Sequence, residues 1–103
     1  MLIIKTKNNV LIRLTKERWR HITARHPEID GQKEDIIKTI SEPDMILEGD
    51  LGELIAVRHY EKTPLTTKYL MVVYKETSGT DGFVVTAYYT AKPSERRKVI
   101  WKR

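Results

Sequence analysis

The sequence predicts one α+β domain over residues 1–103, with two helices ahead of a set of antiparallel strands. Three observations carry this expectation. Apolar residues between Thr15 and Ser41 recur at helical spacing, those beyond Glu53 follow strand spacing, and Pro43 stands where the period changes. With 103 residues, 40% of them hydrophobic and 32% charged, the chain can build one core and no more, since domains most often run to roughly 100–150 residues.

Each element has its own signal. LIIKT and VLIRL flank Lys7-Asn8-Asn9, and asparagine tolerates the positive φ of tight turns, so a short N-terminal hairpin is expected. Thr15 suits an N-cap for a helix near 15–26 that carries Trp19 and Ile22. Pro27 disfavours helical geometry at His26 and ends it. A second helix, near 32–41, starts after Asp30-Gly31, buries Ile36, Ile37 and Ile40, and stops before Pro43. Strands follow at 53–61 (ELIAVRHYE), 67–76 (containing KYLMVVYKE) and 82–91 (beginning GFVVTAYYT), the last two joined by TSGTDG, whose Asp-Gly is a hairpin signal. Strict alternation in the last strand puts Phe83, Val85, Ala87 and Tyr89 in the core and Val84, Thr86, Tyr88 and Thr90 on the other face. His59 shares a face with Ile55 and Val57, whereas Arg58 and Tyr60 share one with Ala56. Residues 69–74 are apolar on both faces, which marks a central strand beside a shallow cleft where Arg58, Tyr60, Thr86 and Tyr88 are expected to converge if their faces match.

Composition narrows the chemistry. The absence of cysteine removes disulfides, thiolate nucleophiles and cysteine zinc sites together. No apolar run approaches the ~18–20 residues of a membrane span, and MLIIK does not read as a signal peptide, so a soluble cytoplasmic protein is expected. The net charge of +5 points to an anionic partner. That charge is segregated: residues 13–25 hold five Lys/Arg against Glu17, residues 92–103 hold six against Glu95, and residues 28–53 hold nine carboxylates against Lys33 and Lys38. If the basic segments meet, they form a phosphate-binding footprint.

Two of the three histidines fall in HITARHPE, residues 21–28. His21 and Arg25 lie one helical turn apart on one side, while His26, displaced by Pro27, should leave the helix axis and point from its end. Cleaving RNA without a metal requires a base for the 2′-hydroxyl proton, an acid for the leaving 5′-oxygen and cations for the developing phosphorane charge. His26 and His21 can share the proton transfers, because imidazole with an ordinary pKa of ~6.5 exists in both forms near neutral pH. Arg58 and Arg25 can clamp phosphate oxygens, Thr86 can donate to the same group, and Tyr88 or Tyr60 can carry a base. Lys92, Arg96 and Arg97 supply further RNA contacts. His21 and His26 are five apart, no HExxH occurs and the glycines are scattered, so neither a metal nor another cofactor is expected.

RHPE closing a helix, Ile40, Pro43 and Asp44 in an I-x-x-P-D pattern, a strand with Arg58 and Tyr60, a VVY strand and VVTAYY resemble, in that order, the phage-associated branch of the barnase, EndoU, colicin and RelE-like (BECR-fold) nucleases. The resemblance spans about residues 15–92. It implies two helices on a curved antiparallel sheet of about four strands, a metal-independent ribonuclease of toxin-like character, RNA as partner and an inhibitor protein, of antitoxin or immunity type, as a second. The contrasting reading is a non-catalytic RNA-binding or protein-interaction module that keeps the fold.

Each residue has a plainer role as well. His26 would anchor the RHPE turn, His21 would be an exposed helix residue, and Arg25 would pair with Glu28 or with the last helical carbonyls. Arg58 would be a cross-strand charge, Thr86 a strand former, His59 and the tyrosines structural, Trp19 and Trp101 packing anchors, and the SERRKVIWKR tail a solvated charge run.

Overall fold

The computed structural model describes all 103 residues. In chain order the elements are β1 (Leu2–Lys5), β2 (Leu11–Leu14), α1 (Lys16–Arg25), a 3₁₀ turn (Pro27–Ile29), α2 (Lys33–Ser41), β3 (Met45–Glu48), β4 (Leu54–His59), β5 (Tyr69–Glu76), β6 (Asp81–Thr90) and β7 (Val99–Lys102). The strands form one sheet in the order β1-β2-β6-β5-β4-β3-β7. Every pair is antiparallel except β2–β6, which is parallel over Leu11–Arg13 against Asp81–Phe83.

This corrects the expected four-stranded antiparallel sheet: the molecule is sheet-dominated, with seven strands in a mixed sheet. The missed strands are short. β3 is only MILE, directly after Pro43-Asp44, and β7 is VIWK inside a basic tail, so neither is long enough to display a period. Tertiary pairing creates them. Glu48 N–H donates to Lys98 O (2.9 Å) and Arg103 N–H to Asp44 O (2.9 Å), zipping the C-terminal segment onto β3. The N-terminal hairpin forms as its turn residues suggest, with Asn9 at φ 66° and the Thr6 hydroxyl accepting from Asn8 and Val10 N–H. It then joins the sheet through β2. The sheet wraps far enough that Lys7, in the β1–β2 turn, lies 4.4 Å from the Trp101 ring of β7.

The helices begin and end where local chemistry dictates. The Thr15 hydroxyl accepts from Arg18 N–H at the start of α1, and His26 N–H donates to Ile22 O (2.8 Å) at its end. Ile22, Ile29, Ile36 and Ile40 project from the helices and the 3₁₀ turn into the main core, meeting Ile4, Ile12, Leu14, Ala56, Leu70, Val72, Tyr74, Val84, Ala87 and Tyr89. Fully burying an isoleucine stabilises by about 1.5–3 kcal/mol, so these four fix the helices to the sheet. Leu47, Ile55, Val57, Met71 and Val73 form a smaller cluster on the opposite face. β5 is apolar on both sides because it is the central strand of the seven.

A bulge overturns the face assignment of Phe83, Val84 and Val85 at the start of β6, while Ala87 and Tyr89 lie in the core as expected. Val73 pairs with Thr86 but Tyr74 pairs with Val84, leaving Val85 as the extra residue. Val84, Ala87 and Tyr89 therefore face the helices, Phe83 is exposed, and Val85 packs toward the smaller cluster. Gly82, the first residue of the expected strand, lies buried inside β6, where an added Cβ would sit 2.3 Å from Lys75 O. The side-chain-free approach of β5 to β6 is what requires glycine there.

Candidate functional site

β2 accompanies β6 only as far as Phe83. Beyond that point β2 ends and the chain turns into α1, which runs beside β6 without covering its edge. The gap is an open cleft of about 530 Å³. Arg18, His21, Ile22 and Arg25 form one wall, with His26 just past the helix end; Val85, Thr86 and Tyr88 form the other. The wall residues of α1 are spaced i, i+3, i+4 and i+7, a single helical face. Successive strand residues normally point to opposite faces, but Val85 is the bulged residue, so it and Thr86 can both line the cleft.

His26 occupies a non-helical conformation (φ −130°, ψ 77°) between α1 and the 3₁₀ turn, as Pro27 requires. Its ring centroid lies 5.8 Å from that of Tyr88 at a 32° tilt, so the imidazole spans the two walls. Its Nδ1 lies 3.7 Å from Glu28 Oε2. Arg25 does not make the ion pair with Glu28 that its plainer role would give it, and remains exposed in the cleft wall. Of the expected site residues, His21, Arg25, His26, Thr86 and Tyr88 thus come together.

Arg58 and Tyr60 do not join them. Arg58 sits on β4, two strands from β6, and its Nη1 donates to Glu42 O at the C-cap of α2, where a cation favours the helix terminus. The Tyr60 hydroxyl donates to Asp35 O (3.0 Å) and lies 2.9 Å from Thr39 Oγ1. Burial, partly offset by that hydroxyl, raises the Tyr60 pKa. Both side chains fasten α2 to the sheet. His59 is exposed, its ring edge-on to Tyr69 at 5.2 Å.

The basic tail also goes elsewhere. Lys92 pairs with Glu95 (2.9 Å), and Arg97 binds both oxygens of Asp50 (2.9 and 3.3 Å), whose hydrogen bond raises the guanidinium pKa. Arg96 lines a separate hollow with Glu48, Gly49, Asp50, Ser94, Arg97 and Lys98. Sequence reasoning missed Arg18, which the i, i+3, i+7 series with His21 and Arg25 would have found, and Glu28, whose place depends on the 3₁₀ turn.

No three His, Asp or Glu side chains gather as a metal-ligand set. Comparison of the chain with protein-family models, with curated protein sequences and with solved structures found no match. The chemistry of the cleft must be read from its own residues. It offers two imidazoles, two guanidiniums, the Thr86 hydroxyl and the Tyr88 phenol around an open cleft, a donor-rich arrangement suited to an anion.

Proposed function

We propose that the protein is a metal-independent endoribonuclease acting in the cytoplasm, and that the cleft between α1 and β6 is its active site. The observation that carries this reading is that His21 and His26 share one cleft with Arg18, Arg25 and Thr86. In the proposed reaction one imidazole takes the 2′-hydroxyl proton as that oxygen attacks phosphorus, and the other, protonated, gives its proton to the departing 5′-oxygen. The guanidiniums and the Thr86 hydroxyl stabilise the charge on the phosphorane, and Tyr88 carries a neighbouring base. The products are a 2′,3′-cyclic phosphate and a 5′-hydroxyl.

The sequence resemblance to the phage-associated BECR-type nucleases supports the same class, resting on RHPE and VVTAYY, which contribute the two cleft walls. On this reading RNA is the substrate and, if the nuclease serves as a toxin, an inhibitor protein covers the cleft. End-group analysis of RNA incubated with the purified protein in EDTA tests the proposal: cyclic phosphate and 5′-hydroxyl termini support it. RNA that is bound but left intact across a wide pH range makes the protein a non-catalytic RNA-binding module.

A further inference from the structure

Glu28 belongs to the RHPE segment but not to the cleft wall. Pro27 opens the 3₁₀ turn, Ile29 N–H donates to His26 O (2.9 Å), Asp30 N–H donates to Pro27 O (3.1 Å), and the Ile29 side chain is fully buried. Glu28 is thereby held between two fixed neighbours, with its side chain only 19% exposed against 33% for His26. Its carboxylate accepts no hydrogen bond from the rest of the protein, and its one ionic neighbour within 4 Å is His26 Nδ1. A carboxylate this close to an imidazole nitrogen gains from a charge-assisted N–H bond to it. The 3.7 Å separation exceeds a hydrogen bond by roughly half an ångström, a gap side-chain rotation closes, and catalytic hydrogen bonds are often long before substrate binds.

We infer that Glu28 is the positioning residue for His26: it holds the imidazole with the proton on Nδ1, leaving the Nε2 lone pair for the cleft. The tautomer of a histidine is set by the bond its other nitrogen makes. Nδ1–H is the less favoured form of a free neutral imidazole, so its presence in the protein requires an acceptor such as Glu28. The consequence for catalysis rests on the nuclease reading; the tautomer itself does not. On that reading His26 is the base: Nε2 accepts the 2′-hydroxyl proton as the O2′–P bond forms, and the resulting imidazolium is stabilised across Nδ1 by the carboxylate. The P–O5′ bond breaks as protonated His21 transfers its proton to O5′, and the two imidazoles finish with exchanged protonation states.

Nitrogen NMR of the His26 ring, at a pH where it is neutral, tests the inference on the intact protein. The expected result is Nδ1–H in the native chain and reversion toward Nε2–H in Glu28→Ala. Glu28→Gln, whose amide oxygen still accepts, should keep the Nδ1–H form. In RNA cleavage, Glu28→Ala should lower kcat by about 10- to 100-fold with KM little changed, and Glu28→Gln should fall between it and the native protein. A native ring protonated on Nε2, or a folded Glu28→Ala protein with an unaltered ring signature, overturns the inference. A native chain that shows Nδ1–H yet cuts no RNA supports the pair while refuting the nuclease reading alone.

Discussion

Tyr60 and Arg58 illustrate how a residue type can suit a chemistry while its position serves another purpose. Both residue types suit RNA binding, but Tyr60, one residue past the end of β4, lies beneath α2, where its hydroxyl meets Thr39 and Asp35, and Arg58 reaches Glu42. Removing that hydroxyl with Tyr60→Phe breaks both links to α2 while the Thr39 hydroxyl goes on donating to Asp35 O (2.7 Å), and should cost about 1 kcal/mol of stability, read as a lower urea midpoint at unchanged slope. Cleavage of RNA should be unaffected; a loss of activity in a fully folded variant would return Tyr60 to the site. His26 was legible for the opposite reason. The constraint that displaces it is local, a proline one residue on, whereas the partners of Tyr60 are separated from it by 21 and 25 residues.

Among the elements, the helices were readable and the sheet only partly so. Helix boundaries come from Thr15, Pro27 and Pro43, all local signals, but β3 and β7 exist through their pairing with each other and with β4. The β6 bulge was equally hidden, because GFVVTAYYT alternates acceptably in either register and only the partner strand reveals the extra residue. The bulge matters for the site, since it brings Val85 and Thr86 to one wall. Gly82, where β2 and β6 meet, holds this end of the sheet together: a Cβ there would also lie 2.9 Å from Ile12 Cδ1. Backbone must move to admit it. Gly82→Ala should therefore destabilise by about 1–3 kcal/mol, the range for overpacking, in equilibrium denaturation. A neutral result would show that β5 and β6 separate freely at this point.

At the scale of the whole molecule, charge segregation along the chain does not become two basic segments facing one cleft. The acidic segment meets the basic tail instead, through Arg97–Asp50 and Arg103–Asp44 (2.9 Å). The α1 cations remain. RNA binding should therefore weaken with salt, and replacing Arg18 or Arg25 by alanine should each reduce the logarithmic slope by about one, because each neutralised phosphate releases counterions. Charge reversal at Arg96 and Arg97 should change the slope less than the loss of Arg18 and Arg25 does; a larger change would extend the RNA path to the tail.

The core also fixes an alkaline limit. Burial pushes Tyr74 and Tyr89 from 10.0 up to about 12. Unfolded phenols deprotonate first as pH rises, so their contribution to stability is intact below pH 10 and is lost as pH approaches 12. Tyrosinate absorbance and unfolding should rise together across that window, and ionisation of all five tyrosines near pH 10 in a folded protein would contradict the burial.

The most direct test of the central claim compares the native protein with His26→Ala in three readings on the same preparation: cleavage of labelled RNA in EDTA, affinity for that RNA, and thermal unfolding. General acid–base catalysis contributes about 10²–10⁴-fold, so the variant should lose cleavage by at least the lower figure while its RNA affinity and melting temperature stay close to native. Undiminished cleavage by the variant, or a variant that loses activity only because it unfolds, would contradict a catalytic role for His26.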